Sequence, residues 1–147
     1  MGNFTLYRPT NTWDLQLQAE ETADDSDKLF TVPAGRIWQV MWIWIELTST
    51  ATVGDRQIEV LIRDSADDTV MQLQAGVTQA ASLTYNYLFA PGMPDLGALR
   101  DSTYLTTPLP PTLILPAAYD IRIYDNNAVA AAADDMIIQM MIGEQSH

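Results

Sequence analysis

The chain has 147 residues, of which 48% are hydrophobic and 18% charged, a balance typical of a globular protein that folds without disulfides or metals. Nineteen acidic residues face seven basic ones, and the formal net charge of −12 argues against binding to duplex nucleic acid or an anionic membrane. Cysteine is absent, which excludes thiol catalysis, disulfides and cysteine-ligated zinc. We expect no secretory signal in residues 1–20, and the apolar run 40–47 is too short for a membrane-spanning helix.

Alternation of polar and apolar residues predicts strands along most of the chain. Turn residues such as Pro, Gly, Asp and Asn separate them, and only 96–101 and 128–133 have any helical character. With no helices between the strands, the chain is predicted to be all-β, an antiparallel, jelly-roll-like β-sandwich of about eight to ten strands with little helix. The predicted strands are 3–7, 14–20, 28–32, 36–48, 56–63, 69–74, 79–89, 112–115, 119–125 and 135–142.

Domain organisation is simple at this length. We expect an N-terminal arm at 1–13 and a single β-sandwich domain at 14–147. Within the domain, residues 92–112 lack clear periodicity and predict a long loop. Because long loops inside compact domains are usually functional, this one is a candidate contact segment, although a loop that folds back onto its own sheet would bury its apolar residues equally well.

The predicted strand 36–48 is apolar on both faces, as in a central strand that is covered on both sides. Strict alternation places Trp38, Trp42 and Trp44 on one face, and we expect them to pack between two sheets. A carbohydrate-stacking platform and a subunit interface are the alternatives. Trp13 stands in a polar context and predicts either an anchor for the arm or an interface residue.

Two turn sequences resemble each other. Val32-Pro33-Ala34-Gly35 and Leu115-Pro116-Ala117-Ala118 each lead into a strand. Two equivalent corners of a jelly roll would need the same turn, although simple recurrence of Pro-Ala turns would give the same pattern.

The sequence contains few residues of the types that common catalytic sites require. The single histidine is His147 at the end of the chain, and no P-loop or G-x-G-x-x-G is present, so the common nucleophile–base pairs cannot be built. The acidic clusters lack the complete calcium-loop motif, and glycoside hydrolysis would need two carboxyl groups in one groove. We therefore expect no catalytic residue, no metal site and no cofactor. The acidic clusters are Glu20, Glu21, Asp24, Asp25 and Asp27, then Asp64, Asp67 and Asp68, then Asp134 and Asp135.

The arginines allow two interpretations. A planar guanidinium suits bidentate pairing with a carboxylate at an interface, whereas an exposed surface pair contributes little. The sequence does not separate the two. The residues concerned are Arg36, Arg56, Arg63, Arg100 and Arg122.

Five short segments together resemble the small β-sandwich virion proteins of tailed bacteriophages, above all the decoration (cement) proteins of phage heads. They are Val-Pro-Ala-Gly-Arg-Ile-Trp at 32–38, Thr-Val-Gly-Asp-Arg at 52–56, Thr-Gln-Ala-Ala-Ser at 78–82, Phe-Ala-Pro-Gly at 89–92 and Leu-Pro-Ala-Ala-Tyr at 115–119. The similarity covers roughly residues 30–143 and consists of turns and strands. It carries over no catalytic residue, and Ala118 stands where a glycine would complete the second turn.

The resemblance implies a non-enzymatic structural protein on the capsid surface of a virion. It would stabilise the head by binding across subunits of the major capsid protein, as a homotrimer or by trimerising on the capsid. The alternative is a carbohydrate-binding or receptor-binding module of a phage head fibre, tail or baseplate. Expected interface residues are Trp13, Met93, Leu96, Leu99, Arg100, Tyr104 and Leu105.

Overall fold

A computed structural model describes residues 13–22, 24, 27–95, 103–127, 129–130 and 132–146. These ranges contain no helix, and so none that is long and apolar enough to cross a membrane. The predicted all-β class is confirmed. The strands are β1 (Asp14–Glu20), β2 (Lys28–Thr31), β3 (Arg36–Thr48), β4 (Ile58–Arg63), β5 (Thr69–Gln74), β6 (Thr84–Pro91), β7 (Tyr104–Leu109), β8 (Leu113–Leu115), β9 (Asp120–Asp125) and β10 (Asp135–Ser146).

The strands form two sheets. Sheet A has the order β1-β10-β3-β6-β7, with β8 paired to the first part of β3, and sheet B has the order β2-β9-β4-β5. The pairs are antiparallel apart from β6 and β7, which run parallel. When β7 and β8 are set aside, the other eight strands have the order of a jelly roll. The predicted sandwich architecture is therefore confirmed, with β7 and β8 inserted between β6 and β9, its sixth and seventh strands.

One apolar core fills the space between the sheets. Alternate residues of β4, namely Ile58, Val60 and Ile62, belong to it, as do Ile121 and Ile123 of β9. Their period of two places them on the inner face, because successive side chains of a strand point to opposite sides. In β4 and β9, the apolar positions of the sequence alternation are thus the positions that are buried in the core.

Strand β3 contains a β-bulge at Met41. Val40 and Trp42 pair with consecutive residues of β10, so Met41 between them has no partner in that strand. An extra residue of this kind reverses the alternation of the strand. Before the bulge, Trp38 and Val40 belong to the core, and after it the core positions are taken by Ile43 and alternate residues beyond it.

Trp42 and Trp44 therefore lie half-exposed on the outer face of sheet A, and the prediction that they pack between the sheets is wrong. Strict alternation failed because an unpaired residue leaves no periodic mark in a strand that is apolar on both faces. Trp38 alone has the predicted position. It is 3% exposed, and its indole N–H donates to the Glu144 carboxylate with an N–O distance of 2.9 Å.

Strand β1 also departs from the expected orientation. Its polar Gln16 and Gln18 pair with Ile142 and Met140 on the inner side of sheet A. Its apolar residues point away from the core and are exposed. The alternation in the sequence predicted the strand, but it did not predict which side would face the core, because an edge strand can present either.

The two Pro-Ala turns are neighbours in space. Arg36 N–H donates to the Pro33 carbonyl and Tyr119 N–H to the Pro116 carbonyl, so both segments form the same four-residue turn. Gly35 has a φ of 70° and Ala118 a φ of 67°, the left-handed conformation that a type II turn requires at its third position. Backbone hydrogen bonds of 2.9 and 3.0 Å then join Val32 to Tyr119 and to Ala118. The sequence similarity thus corresponds to two equivalent corners.

The segment predicted as a loop at 92–112 includes strand β7 at 104–109. Leu105 is fully buried in the core, so its assignment to an interface is wrong. Parallel pairing with β6 turns Leu105 inward beside Tyr87, which is the folding-back that the sequence had left as an alternative. Leu96, Leu99 and Arg100 lie outside the described residues.

The positions of the tryptophans lead to a stability test. We expect Trp38→Ala to destabilise the protein by about 3–5 kcal/mol, because it leaves a cavity in the core. Trp42→Ala should cost about 1–3 kcal/mol, because that side chain is only partly buried and its removal from the open outer face leaves no enclosed cavity. Urea unfolding of both variants measures the difference, and equal losses would contradict the bulge at Met41.

Candidate docking face

The outer face of sheet A carries an open groove with a volume of about 430 Å³. Its walls are almost entirely apolar, with one amide side chain among aromatic and aliphatic groups. The lining residues are Trp42, Trp44, Leu88, Ala90, Met93, Tyr104 and Gln139.

Strand pairing places these side chains together. Trp44 lies opposite Gln139 of β10 on one side and Leu88 of β6 on the other. Trp42 and Trp44 point to the same face of β3, and residues two apart in a strand are separated by about 7 Å. Tyr104 opens β7 at the far wall. The groove therefore crosses four adjacent strands and depends on the bulge that turned the tryptophans outward.

Apolar surface continues from the groove to the edge of the sheet. Leu17 of β1 pairs with Met141 of β10, which pairs in turn with Trp42. Leu15 and Leu17 are 66% and 53% exposed. Exposed apolar groups that adjoin one another in this way mark contact surfaces more often than scattered ones do. Met41 and Ile114 are also exposed on sheet A.

Charge is nearly absent from this face. Two of the strand residues whose side chains point outward from sheet A are charged, Glu46 and Asp135. Both lie near the C-terminal end of β3. In a chain with a net charge of −12, a neutral area of this extent means that the acidic groups are concentrated elsewhere. Removing such a face from water costs little electrostatic free energy.

The outer face of sheet B is different. Glu59 is buried on it and accepts hydrogen bonds from Gln72 and Tyr124 at one carboxylate oxygen and from Gln74 and Asn126 at the other, over 2.6–2.9 Å. The hydrogen bond to Glu59, followed by burial, raises the pKa of Tyr124 to about 12. The polar groups of this cluster are satisfied within the chain, and the exposed apolar residues of sheet B, Leu29 and Val70, lie apart from the groove of sheet A.

The arginines of the described ranges that the sequence singled out also find partners within the chain. Arg63 forms a bidentate pair with Asp120, with both N–O distances 2.8 Å, and Arg122 pairs with Asp27. Arg36 lies 3.6 Å from Glu144. None of these pairs lies in the groove.

Three of the residues predicted to form an interface lie on the outer face of sheet A. Met93 and Tyr104 line the groove. Trp13 lies against Gly143 of β10, where a side-chain carbon added to the glycine would come within 3.3 Å of the indole ring. Since Gly143 pairs with Leu15, Trp13 sits on the same outer side as the exposed leucines. Apart from Trp13, the predicted arm 1–13 lies outside the described residues.

Other residues of this face were missed by the sequence-based prediction, namely Leu15, Leu17, Leu88, Gln139 and Met141. The available signal was the segment 36–48, which is apolar on both faces. The sequence-based interpretation placed both apolar faces of this strand in the interior. It therefore missed that one of them lies on the outer side of sheet A.

Carboxylates of the acidic clusters accept hydrogen bonds from residues close to them in the chain. In the loop 64–68, one carboxylate oxygen of Asp64 accepts backbone hydrogen bonds from Ala66 and Asp68 at 2.8 and 3.0 Å. Asp24 accepts a hydrogen bond of 2.8 Å from the buried ammonium group of Lys28. In the part of the chain that is described, no three acidic or histidine side chains are grouped so that they could hold a metal ion.

Asp134, a candidate carboxylate for hydrolysis, is fully buried against Arg56. Its two oxygens accept hydrogen bonds from Arg56 at 2.7 and 3.2 Å, and one of them also accepts from the backbone and hydroxyl of Thr50. The rest of the guanidinium donates to the Thr52 and Gly54 carbonyls. Every donor of Arg56 is thus directed at a partner, and the pair joins the segment after β3 to the segment before β10.

Burial by itself would raise the pKa of Asp134, but the hydrogen bonds from Arg56 and Thr50 outweigh it and hold the pKa below its usual value. A carboxyl group that stays ionised and enclosed cannot act as an acid or reach a substrate. The arrangement is therefore structural.

No protein-family model and no curated protein matches the chain. Among solved structures, it is similar to one described as the structure of infectious bursal disease virus Gx strain, with 7% identity and a TM-score of 0.33 over 89% of this chain and 40% of that one. A second, of T=1 particles derived from infectious bursal virus, gives 12% identity and a TM-score of 0.31 over 90% and 32%. The chain spans less than half the length of either, and these likenesses assign it no function.

The buried pair predicts a dependence of stability on pH. Because the pKa of Asp134 is lowered by folding, its contribution is fully present above the pKa of the unfolded chain, about 4, and is lost as the pH falls through the lower folded value. Asp134→Asn should destabilise the protein by about 3–5 kcal/mol at pH 7, because it leaves Arg56 buried without a counter-charge.

Urea unfolding between pH 7 and pH 2 measures both effects, and the variant should lose less stability on acidification than the parent. Asp67→Asn is the matched control, since Asp67 is 77% exposed and should change little. Parallel pH profiles for the parent and Asp134→Asn would contradict the assignment.

Proposed function

We propose that the chain is a non-enzymatic structural protein of a virion, which binds a partner protein through the outer face of sheet A. That face, apolar and nearly uncharged beside an opposite face whose polar groups are satisfied, is the observation that carries the proposal. A jelly-roll fold alone does not determine a function, because capsid proteins, lectins and enzymes share this fold. The viral setting is supported by the resemblance of the turn and strand segments between 32 and 119.

In its finer form, the proposal is a capsid decoration protein. Sheet A would lie against the major capsid protein, bridging its subunits, and sheet B would face the solvent with its paired charges. A decoration protein acts by burying surface, so it needs complementary area and no reactive group. The proposed homotrimer, formed in solution or on the capsid, would use contacts from residues 1–13 and from segment 92–112, whose Met93 and Tyr104 line the groove.

Binding to purified phage heads tests the docking surface. Leu17→Gln should weaken binding at least about tenfold, as expected when an apolar contact residue is replaced by a polar one at an interface. Val70→Gln is the matched control, because Val70 is 55% exposed against 53% for Leu17 but lies on sheet B. Trp44→Gln tests the groove in the same way.

Two results would count against this surface. One is equal loss for Leu17→Gln and Val70→Gln, and the other is undiminished binding by both groove and edge variants. Quantitative mass spectrometry of purified virions measures copy number, and decoration predicts a stoichiometry related to that of the major capsid protein. A few copies per particle would favour a fibre, tail or baseplate position instead.

A carbohydrate-binding or receptor-binding module is the second candidate, and the groove supplies the observation that favours it. Trp42 and Trp44 present aromatic surface beside the Gln139 amide, and aromatic rings with a nearby polar group suit the faces and hydroxyls of sugars. Glycan-array binding and quenching of tryptophan fluorescence by neutral oligosaccharides distinguish the two. Sugar binding that Trp44→Gln abolishes would select this candidate.

A further inference from the structure

A carboxylate lies at the rim of the apolar groove on sheet A. Glu46 follows Trp44 by two residues in β3, so the two side chains point to the same face from positions about 7 Å apart. Glu46 pairs with Asn86 of β6, and Asn86 pairs in turn with Tyr104 at the far wall of the groove. The half-buried Glu46 therefore borders the groove between one of its tryptophans and its tyrosine.

This carboxylate has no counter-charge in the described part of the chain. No ion pair there includes Glu46, and none includes Asp135, which lies diagonal to it across β3 and β10. One carboxylate oxygen of Asp135 is also buried without a hydrogen-bond partner among the described residues. A cation brought to this end of the face would therefore lower the free energy of both carboxylates. The basic residues of the described ranges all pair with other carboxylates, and they are Lys28, Arg36, Arg56, Arg63 and Arg122.

We propose that the partner segment that docks on sheet A carries an arginine, which pairs with Glu46 and stacks against Trp44 while a neighbouring apolar side chain enters the groove. The proposal rests on the docking function proposed above and names the chemistry of its partner. Arginine suits this position better than lysine, because its planar group can pair with a carboxylate through two N–H donors and lie on an aromatic ring at the same time.

The sheet also sets the spacing of the two side chains in the partner. Trp44 and Leu88 form one outward row across β3 and β6, and Glu46 and Asn86 form the next. Successive outward rows are about 7 Å apart, which is also the length of two residues in an extended segment. The arginine is therefore expected two residues from the apolar side chain.

Charge disfavours a second copy of this chain as the occupant. The outward-facing strand residues of sheet A include no basic residue, so the same face of another copy has no cation to offer Glu46. The net charge of −12 opposes the approach of two copies and attracts a basic segment. A charged contact at the rim favours one orientation of the partner, and the groove supplies the apolar contact.

A matched set of peptides tests the proposal on the full chain. The probe is acetyl-Leu-Gly-Leu-Gly-Arg-amide, and its control carries citrulline in place of arginine, which has nearly the same shape and no charge. Titration is followed through the indole N–H signals of the tryptophans in proton–nitrogen correlation spectra, with the Trp44 signal assigned by Trp44→Phe. The arginine peptide should shift the Trp44 signal and bind at least about fivefold more tightly than the citrulline peptide.

The substitution Glu46→Gln keeps the size of the side chain and removes its charge. It should abolish the preference for arginine and leave the affinity for the citrulline peptide within about twofold of the parent. Asp68→Asn is the matched control, because Asp68 is an exposed carboxylate in the loop between β4 and β5 of sheet B, and it should leave the preference intact. Far-ultraviolet circular dichroism confirms that both variants are folded.

The same two variants are then compared on purified phage heads. Glu46→Gln should weaken binding about fivefold, as expected for the loss of a charge-assisted pair, and Asp68→Asn should not. Equal affinities of the arginine and citrulline peptides would overturn the proposal. So would a preference for arginine that persists in Glu46→Gln, or an arginine peptide that leaves the Trp44 signal unmoved at millimolar concentration.

Failure of this proposal can be told apart from failure of the docking function. If Leu17→Gln and Trp44→Gln weaken binding to heads and Glu46→Gln does not, sheet A docks on its partner without this arginine, and only the present proposal is overturned. If none of the three variants weakens binding, the docking function proposed for sheet A is overturned as well.

Discussion

The unpaired residue at Met41 is the constraint on which the rest of sheet A depends. Strand β3 pairs with β10, β6 and β8, so a reversal of its alternation is transmitted to all of them through the shared faces. Trp38 and Val40 fill the core on one side of the bulge, and Ile43 and its successors fill it on the other. The cost is that Trp42 and Trp44, large apolar side chains, are left in contact with water. A strand can keep such residues outside only where something else covers them or where contact is their purpose.

The outer faces of the two sheets differ in how they treat polar groups. Sheet B satisfies its outer polar groups within the chain, through the carboxylate of Glu59 and the bidentate pair of Arg63 with Asp120. Sheet A instead presents an apolar groove. Partner binding has to overcome the loss of translational and rotational freedom, and a face that needs no desolvation of charge is better suited to this than one in which ion pairs must be broken.

At the end of the sandwich opposite the Pro-Ala corners, a different interaction holds the connecting segments in place. The buried pair of Arg56 and Asp134 fixes the segments that follow β3 and precede β10, the two neighbouring strands at the centre of sheet A. In this pair, a carboxylate and a guanidinium, which can be catalytic in enzymes, have a structural role. The acidic character of the chain, which invited metal and glycosidase hypotheses, is thus accounted for at Asp134 by a counter-charge and at Asp64 by turn hydrogen bonds.

Sequence alone determined the all-β class, the positions of most strands and the two equivalent Pro-Ala corners, because period-two alternation and turn chemistry are local properties of the chain. It could not determine the side to which β1 presents its leucines, since an alternating edge strand satisfies its local pattern either way round. Nor could it locate the bulge at Met41, because an extra residue in a strand that is apolar on both faces changes no local preference. Those choices, and with them the groove and the burial of Leu105, were decided by tertiary pairing with β10 and β6, where the register of a neighbouring strand selects one orientation.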